Sequence, residues 1–218
     1  MRLSPSSLLQ FETCPHKFFR LRVKRDVEPD PPGAALQIGQ QDHQAFEHRF
    51  GKGRTGLPAH LLPWEALCVK LEGGLDHILT EHPLALTDDL VPCRYQDPKA
   101  WLRGYVDFLG LKGDRAIIID WKTGKRRPKR MQLDVYTLAV FLEFPEVERV
   151  TSMFVWTREG VHDSYTTERE TLPELTTRVL EACVPIDRAL REDVWEKRPS
   201  GLCGKWCPVV DCEHNGRS

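Results

Sequence analysis

The chain has 218 residues, 40% hydrophobic and 29% charged, with a formal net charge of −1. That balance excludes global disorder and a general polycation, yet leaves room for a local basic track. No apolar run approaches the ~18 residues of a membrane span, and Met1-Arg2-Leu3-Ser4-Pro5 does not open an apolar secretory signal. The expectation is one domain over residues 1–218, cytoplasmic and without a membrane partner.

In chain order, residues 4–25 are predicted to start at a Ser4 or Ser6 cap and run as a basic helix. Its apolar positions are Leu8, Leu9, Phe11, Phe18, Phe19 and Leu21. The breaker Glu28-Pro29-Asp30-Pro31-Pro32-Gly33 reads as a linker. Helical spacing returns over 35–50 and over 63–82, the latter ending near Pro83. The period then changes to that of strands, over 90–96, 101–111 and 115–121, with a hairpin turn at Leu111-Lys112-Gly113-Asp114-Arg115. Residues 128–143 read as a helix, 148–157 and 161–167 as two strands around Arg158-Glu159-Gly160, and 171–196 as a last long helix. This mixture predicts an α/β core with an extension at each end.

Seven cysteines are present, an odd number, which argues against a disulfide framework. Three crowd the C-terminus in Cys203-Gly-Lys-Trp-Cys207-Pro-Val-Val-Asp-Cys212. Thiolates this close repel unless a cation holds them, and soft sulfur selects zinc or iron. Three sulfurs need a fourth ligand. Cys14, followed by Pro15 as Cys207 is by Pro208, is the first choice; a zinc site completed by His214 or Cys14 is the competitor. Cys68, Cys93 and Cys183 lie in apolar stretches and read as buried small hydrophobes.

The densest chemistry is in Gly104-Tyr105-Val106-Asp107 and Ile119-Asp120-Trp121-Lys122. Alternate residues of a strand share a face, so Asp120 and Lys122 point one way and Trp121 the other. A hairpin can set Asp107 beside Asp120. Adjacent carboxylates repel, and a divalent cation that keeps waters for a phosphate relieves this. An Asp-x-Lys pattern alone is common on strand ends. It gains weight from Gln132 and Tyr136, four apart on one helix face, and from His43 on an earlier helix, with Glu47 placed to orient it. A lone histidine is more often a structural residue than a ligand.

Together the motifs run in order: Ser4-Pro5-Ser6-x-Leu8, Cys14-Pro15, Gly39 to His43, Gly104 to Asp107, Asp120-x-Lys122, Gln132-x-x-x-Tyr136 and the cysteine trio. The chain resembles the RecB-like branch of the PD-(D/E)xK superfamily. Within it, the chain is similar to iron–sulfur exonucleases such as the AddB nuclease domain and the CRISPR-associated adaptation exonuclease. The resemblance implies an α/β, restriction-endonuclease-like core with a central mixed sheet flanked by helices, over 34–196. It also implies an iron–sulfur subdomain formed by both chain ends, 1–33 and 197–218. The implied activity is Mg²⁺- or Mn²⁺-dependent exonucleolytic hydrolysis of DNA, favouring single-stranded ends, in recombination, repair or phage DNA processing. By resemblance, His43, Asp107, Asp120 and the backbone carbonyl of Trp121 would hold the metal. Lys122 would be the catalytic lysine, completed by Gln132 and Tyr136. Cys14, Cys203, Cys207 and Cys212 would hold a 4Fe–4S cluster, although the usual C-x2-C-x5-C spacing is C-x3-C-x4-C here.

Two basic tracks could meet a nucleic acid backbone. Lys17, Arg20, Arg22, Lys24 and Arg25 equally suit a solvated face. Lys125, Arg126, Arg127, Lys129 and Arg130 follow the active-site strand directly, and phosphate contact is the stronger reading there. Trp121, Phe18 and Phe19 could stack bases or fill the core. No base-reading motif occurs, so sequence-independent DNA binding is expected. No phosphate-binding Gly-x-x-x-x-Gly-Lys-Ser/Thr loop is present, so unwinding would need a helicase partner. The alternative function is a DNA-end-processing subunit of an integrase or helicase–nuclease complex.

Overall fold

A computed structural model describes residues 1–31, 33–51 and 55–216. Pro32, inside the predicted linker, lies outside them. The helices are α1 (Pro5–Thr13), α2 (Pro15–Phe18), α3 (Ala34–Phe50), α4 (Glu65–Gly74), α5 (Met131–Glu143) and α6 (Leu172–Glu192). The strands are β1 (His77–Leu86), β2 (Leu102–Lys112), β3 (Arg115–Lys122), β4 (Arg149–Trp156) and β5 (Val161–Glu168). Among the described residues, no helix is long and apolar enough to cross a membrane.

The chain divides into two compact units, Met1–Arg2 with Pro32–Val179, and Leu3–Pro31 with Leu180–Ser218. The first holds a mixed five-stranded sheet in the order β1-β2-β3-β4-β5. Every neighbouring pair is antiparallel except β3 and β4, which are parallel. A parallel pair needs a crossover, and α5 supplies it. One face of the sheet is covered through Phe108, Ile119, Trp121 and Val155, which pack with Phe46 of α3 and with Cys68 and Leu71 of α4. Phe46 and Trp121 stack with centroids 3.8 Å apart and planes 5° from parallel. The buried Arg49 of α3 forks between Glu65 (2.5 Å) and Glu72 (2.9 Å), tying α3 to α4. A buried guanidinium is tolerable only when paired in this way.

The second unit joins both chain ends. Ser4 caps α1 in a capping box with Ser7. The predicted single helix over 4–25 is instead broken at Cys14, whose extended backbone ends α1 and begins α2. A π-helical stretch, Phe19–Lys24, follows. Trp195 meets Phe11, Phe18 and Phe19, the last stacked at 4.8 Å. The His16 amide donates to the Glu196 carbonyl (3.0 Å), and Arg198 donates to the Glu12 carbonyl (2.9 Å).

Two expectations fail around one missed strand. The helix predicted over 63–82 stops at Gly74, and 77–86 form β1. Pro83 ends no helix; it sits inside β1, an edge strand, where its missing N–H costs no ladder bond. The strand predicted over 90–96 is a loop, with a left-handed Leu90 and one isolated bridge from Leu86 to Pro92. Cys68 and Cys183 are buried as expected, whereas Cys93 is only half-buried.

Candidate active site

The sheet pairing opens at one place. Paired residues of β2 and β3 run from Lys112–Arg115 to Phe108–Ile119 and stop, although both strands continue. The next row of that register is Asp107 opposite Asp120. On the other side of β2, pairing with β1 skips one row between Thr80–Phe108 and His82–Val106. That row is Glu81 opposite Asp107. Three carboxylates, Glu81, Asp107 and Asp120, therefore lie in one transverse row over three strands, where regular pairing lapses.

Each carboxylate is held differently. Oδ2 of Asp107 accepts the Trp121 amide (2.8 Å), replacing the ladder bond that β2 no longer supplies. The same oxygen lies 3.3 Å from Nδ1 of His43, delivered by α3. Helix α3 comes close here: a Cβ on Gly39 would stand 3.1 Å from Oγ1 of Thr123. Asp120 is 2% exposed. Its Oδ1 accepts from Nε2 of Gln132 (2.6 Å), and its Oδ2 lies 2.5 Å from Nζ of Lys122 without an aligned hydrogen bond. Gln132 clamps both partners, since its Oε1 accepts from Lys122 Nζ (3.1 Å). Tyr136 follows one turn later on α5, buried beside Gln132.

Burial and crowding set the electrostatics. Desolvation, then the charge of Asp107, pushes the Asp120 carboxyl well above the usual carboxylate range. Desolvation and Asp107 also raise Glu81. Burial pulls the His43 imidazole down, but its hydrogen bond to Asp107 and the charges of Asp107 and Asp120 outweigh that and raise it to about 9. Burial, then Asp120, holds the Tyr136 phenol protonated.

His43, Glu81 and Asp107 offer ligand atoms that all lie within 4.8 Å of one another, the one such group among the described residues. A histidine with carboxylates, next to a buried Asp120 oxygen lacking an aligned donor, is a donor set that fits a divalent cation. Sequence reasoning missed Glu81 because it lay in the stretch taken for helix. Gly73-Gly74, a helix stop, was the signal available. Glu81 also has a left-handed backbone, φ 46°, which is strained for a residue with a Cβ. Glu47, expected to orient His43, also lies near enough to Glu81 for its charge to help raise it.

The other expected residues divide. Trp121 is 1% exposed and Phe18 fully buried, so neither is free to stack a base. The loop 125–130 is exposed. Within it, Arg126 pairs with Asp163, while Arg130 approaches Asp134 (3.3 Å) and lies over the Tyr165 ring. In the first basic track, Arg20 pairs with Asp26 and Asp211, Lys24 with Asp26, and Arg22 with Gln10, which suits a solvated face. Cys14, Cys203, Cys207 and Cys212, all in the second unit, line one small pocket with Lys17, Lys197 and Arg198.

The family profile of the PD-(D/E)XK nuclease superfamily matches residues 2–212. No curated protein matches the chain. Among solved structures, a putative exonuclease from Eubacterium rectale is 12% identical, with a TM-score of 0.52, over 97% of this chain and 86% of the other. The structure of SSO0001 is 14% identical, with a TM-score of 0.42, over 98% of this chain and 87% of the other.

A titration follows from the His43–Asp107 pair. The folded value of about 9 lies above the ordinary 6.5. The pair's stabilisation is therefore complete below about pH 6.5 and lost as pH rises through 9. Histidine NMR of chelator-treated protein should show one imidazole titrating near 9. In Asp107→Asn that value should fall, because burial and Lys122 still oppose the charged imidazole while the hydrogen bond and charge of Asp107 are gone and only Asp120 remains to raise it.

Proposed function

We propose that this chain, which belongs to the PD-(D/E)XK nuclease superfamily, is a Mg²⁺- or Mn²⁺-dependent deoxyribonuclease that trims DNA from single-stranded ends. The observation that carries the reading is the row of Glu81, Asp107 and Asp120 beside the Lys122–Gln132 clamp. In this reading His43, Glu81, Asp107 and Asp120 hold the cation, with the Trp121 carbonyl as a further ligand. A bound divalent cation supplies Lewis acidity toward a phosphodiester and a water. Lys122, kept half-buried by Gln132 and lying over the Phe154 ring, donates to the phosphate oxygen that gains charge during attack. Gln132 fixes Asp120 and Lys122 in register, so neither has to reorganise when the phosphate arrives. Tyr136 holds its proton and closes the buried side of the site. Loop 125–130, exposed directly after β3, offers Lys125, Arg126, Arg127, Lys129 and Arg130 to the backbone of the entering strand without reading bases.

In this account the nuclease core, expected over 34–196, is the first unit, and the metal-stapled part is the second, which takes in residues 180–196 as well as both chain ends. Cys14, Cys203, Cys207 and Cys212 are proposed as ligands of a 4Fe–4S cluster. The support is their convergence on one pocket whose cationic rim of Lys17, Lys197 and Arg198 suits an anionic thiolate cluster. The cluster's role is structural, joining the two chain ends.

Two experiments test this. Wild-type protein with Mn²⁺ should shorten end-labelled single-stranded DNA, and Asp120→Ala or Lys122→Ala should lower the rate by at least about 100-fold. Rates equal to wild type in either variant contradict the active-site assignment. Anaerobically purified protein should be brown and contain iron, and Cys207→Ser should lose both iron and thermal stability. A colourless, zinc-loaded wild type contradicts the cluster.

A further inference from the structure

A cleft of about 860 Å³ opens beside the candidate active site, and the reaction described above makes no use of it. Its walls come from α3, the segment before α4 and the β4–β5 turn, all within the first unit. Ile38, Leu61 and Trp64 give it an apolar side. The indole of Trp64 is fixed, since its Nε1 donates to the Thr157 carbonyl (3.1 Å). At the polar side stands Asp42, 2% exposed. Its Oδ1 accepts from Nε2 of His60 (2.7 Å), while its Oδ2 is buried without a hydrogen-bond donor among the described residues. A buried carboxylate oxygen left without a donor is unfavourable, and its natural complement is a ligand N–H.

The cleft is wired to the catalytic strand. Thr157, whose carbonyl fixes Trp64, donates through its amide (2.9 Å) and hydroxyl (3.2 Å) to the carbonyl of Lys122. The same turn anchors the basic loop. Glu159 lines the cleft and accepts the Arg126 amide (2.8 Å), and Arg126 pairs with Asp163 on β5. The cleft and the basic loop 125–130 therefore share one anchor, the β4–β5 turn.

We infer that the cleft receives one amino-bearing base, adenine, cytosine or guanine, of the DNA strand next to the scissile phosphate; this rests on the nuclease reading. A base is planar and suits the fixed indole. Its exocyclic amine donates to Asp42 Oδ2. Thymine fits poorly, because its single N–H is flanked by two carbonyl oxygens that would face a carboxylate that only accepts. The cleft would impose a base preference on an enzyme whose phosphate contacts carry none.

The test is equilibrium binding of fluorescein-labelled dC10 and dT10 at pH 8 with chelator, followed by cleavage of the same oligonucleotides with Mn²⁺. Wild type should bind dC10 about tenfold more tightly than dT10, the difference made by one well-placed hydrogen bond. Asp42→Asn should bring the ratio near one and leave dT10 cleavage unchanged. Ile38→Trp, which fills the cleft from an exposed helical position, should do the same and decides the question if Asp42→Asn does not fold. Equal binding of both oligonucleotides by wild type, or a preference untouched by the variants, overturns the inference. A protein that cuts both oligonucleotides equally keeps its nuclease assignment and loses the base cleft. One that prefers dC10 in an Asp42-dependent way but never cuts keeps the cleft and loses the nuclease.

Discussion

The hydrogen bond from the Trp121 amide to the Asp107 carboxylate is the interaction on which the candidate site depends. It stands where β2 and β3 stop pairing backbone to backbone, and it lets the strands part without orphaning a buried N–H. The opening leaves room for His43 from α3 on one side and for the Lys122–Gln132 clamp from α5 on the other. The remaining packing serves to hold those helices. Phe46 stacks on Trp121, so the strand residue between Asp120 and Lys122 locks α3 to the sheet. Arg49, bound to Glu65 and Glu72, locks α3 to α4.

Crowding three carboxylates into one row works against folding unless positive charge is near. His43 and Lys122 supply some of it, and both face these acids directly. The raised values of Asp120 and Glu81 express their burial first and then the charge of Asp107 that is left uncompensated. Glu81 adds backbone strain at φ 46°. Strain, burial and like charge in one place are unfavourable for stability and suited to binding a divalent cation, the balance expected of a functional site.

Much of this was legible in the sequence. The spacing of Asp120, Trp121 and Lys122 separated the core face from the chemical face, and the four-residue step from Gln132 to Tyr136 put both on one side of α5. The hairpin turn at 111–115 set Asp107 opposite Asp120. What stayed hidden was β1, and Glu81 with it. Its apolar positions suit a helix as well as a strand, and Pro83 mimics a helix stop unless the strand is known to be an edge. Cys14 shows the same limit on a smaller scale: periodicity carried a helix through it, whereas its extended backbone breaks the helix and turns the thiol toward the other three cysteines' pocket.

The central claim is that the row opened at Asp107 binds a divalent cation through side chains from α3, β1, β2 and β3. The most direct measurement is Mn²⁺ binding by calorimetry to wild type, Glu81→Gln and Asp107→Asn, each checked for native secondary structure by circular dichroism. The account predicts a saturable site in wild type that is weakened at least about tenfold in both variants. Unchanged affinity in folded Glu81→Gln and Asp107→Asn would contradict it.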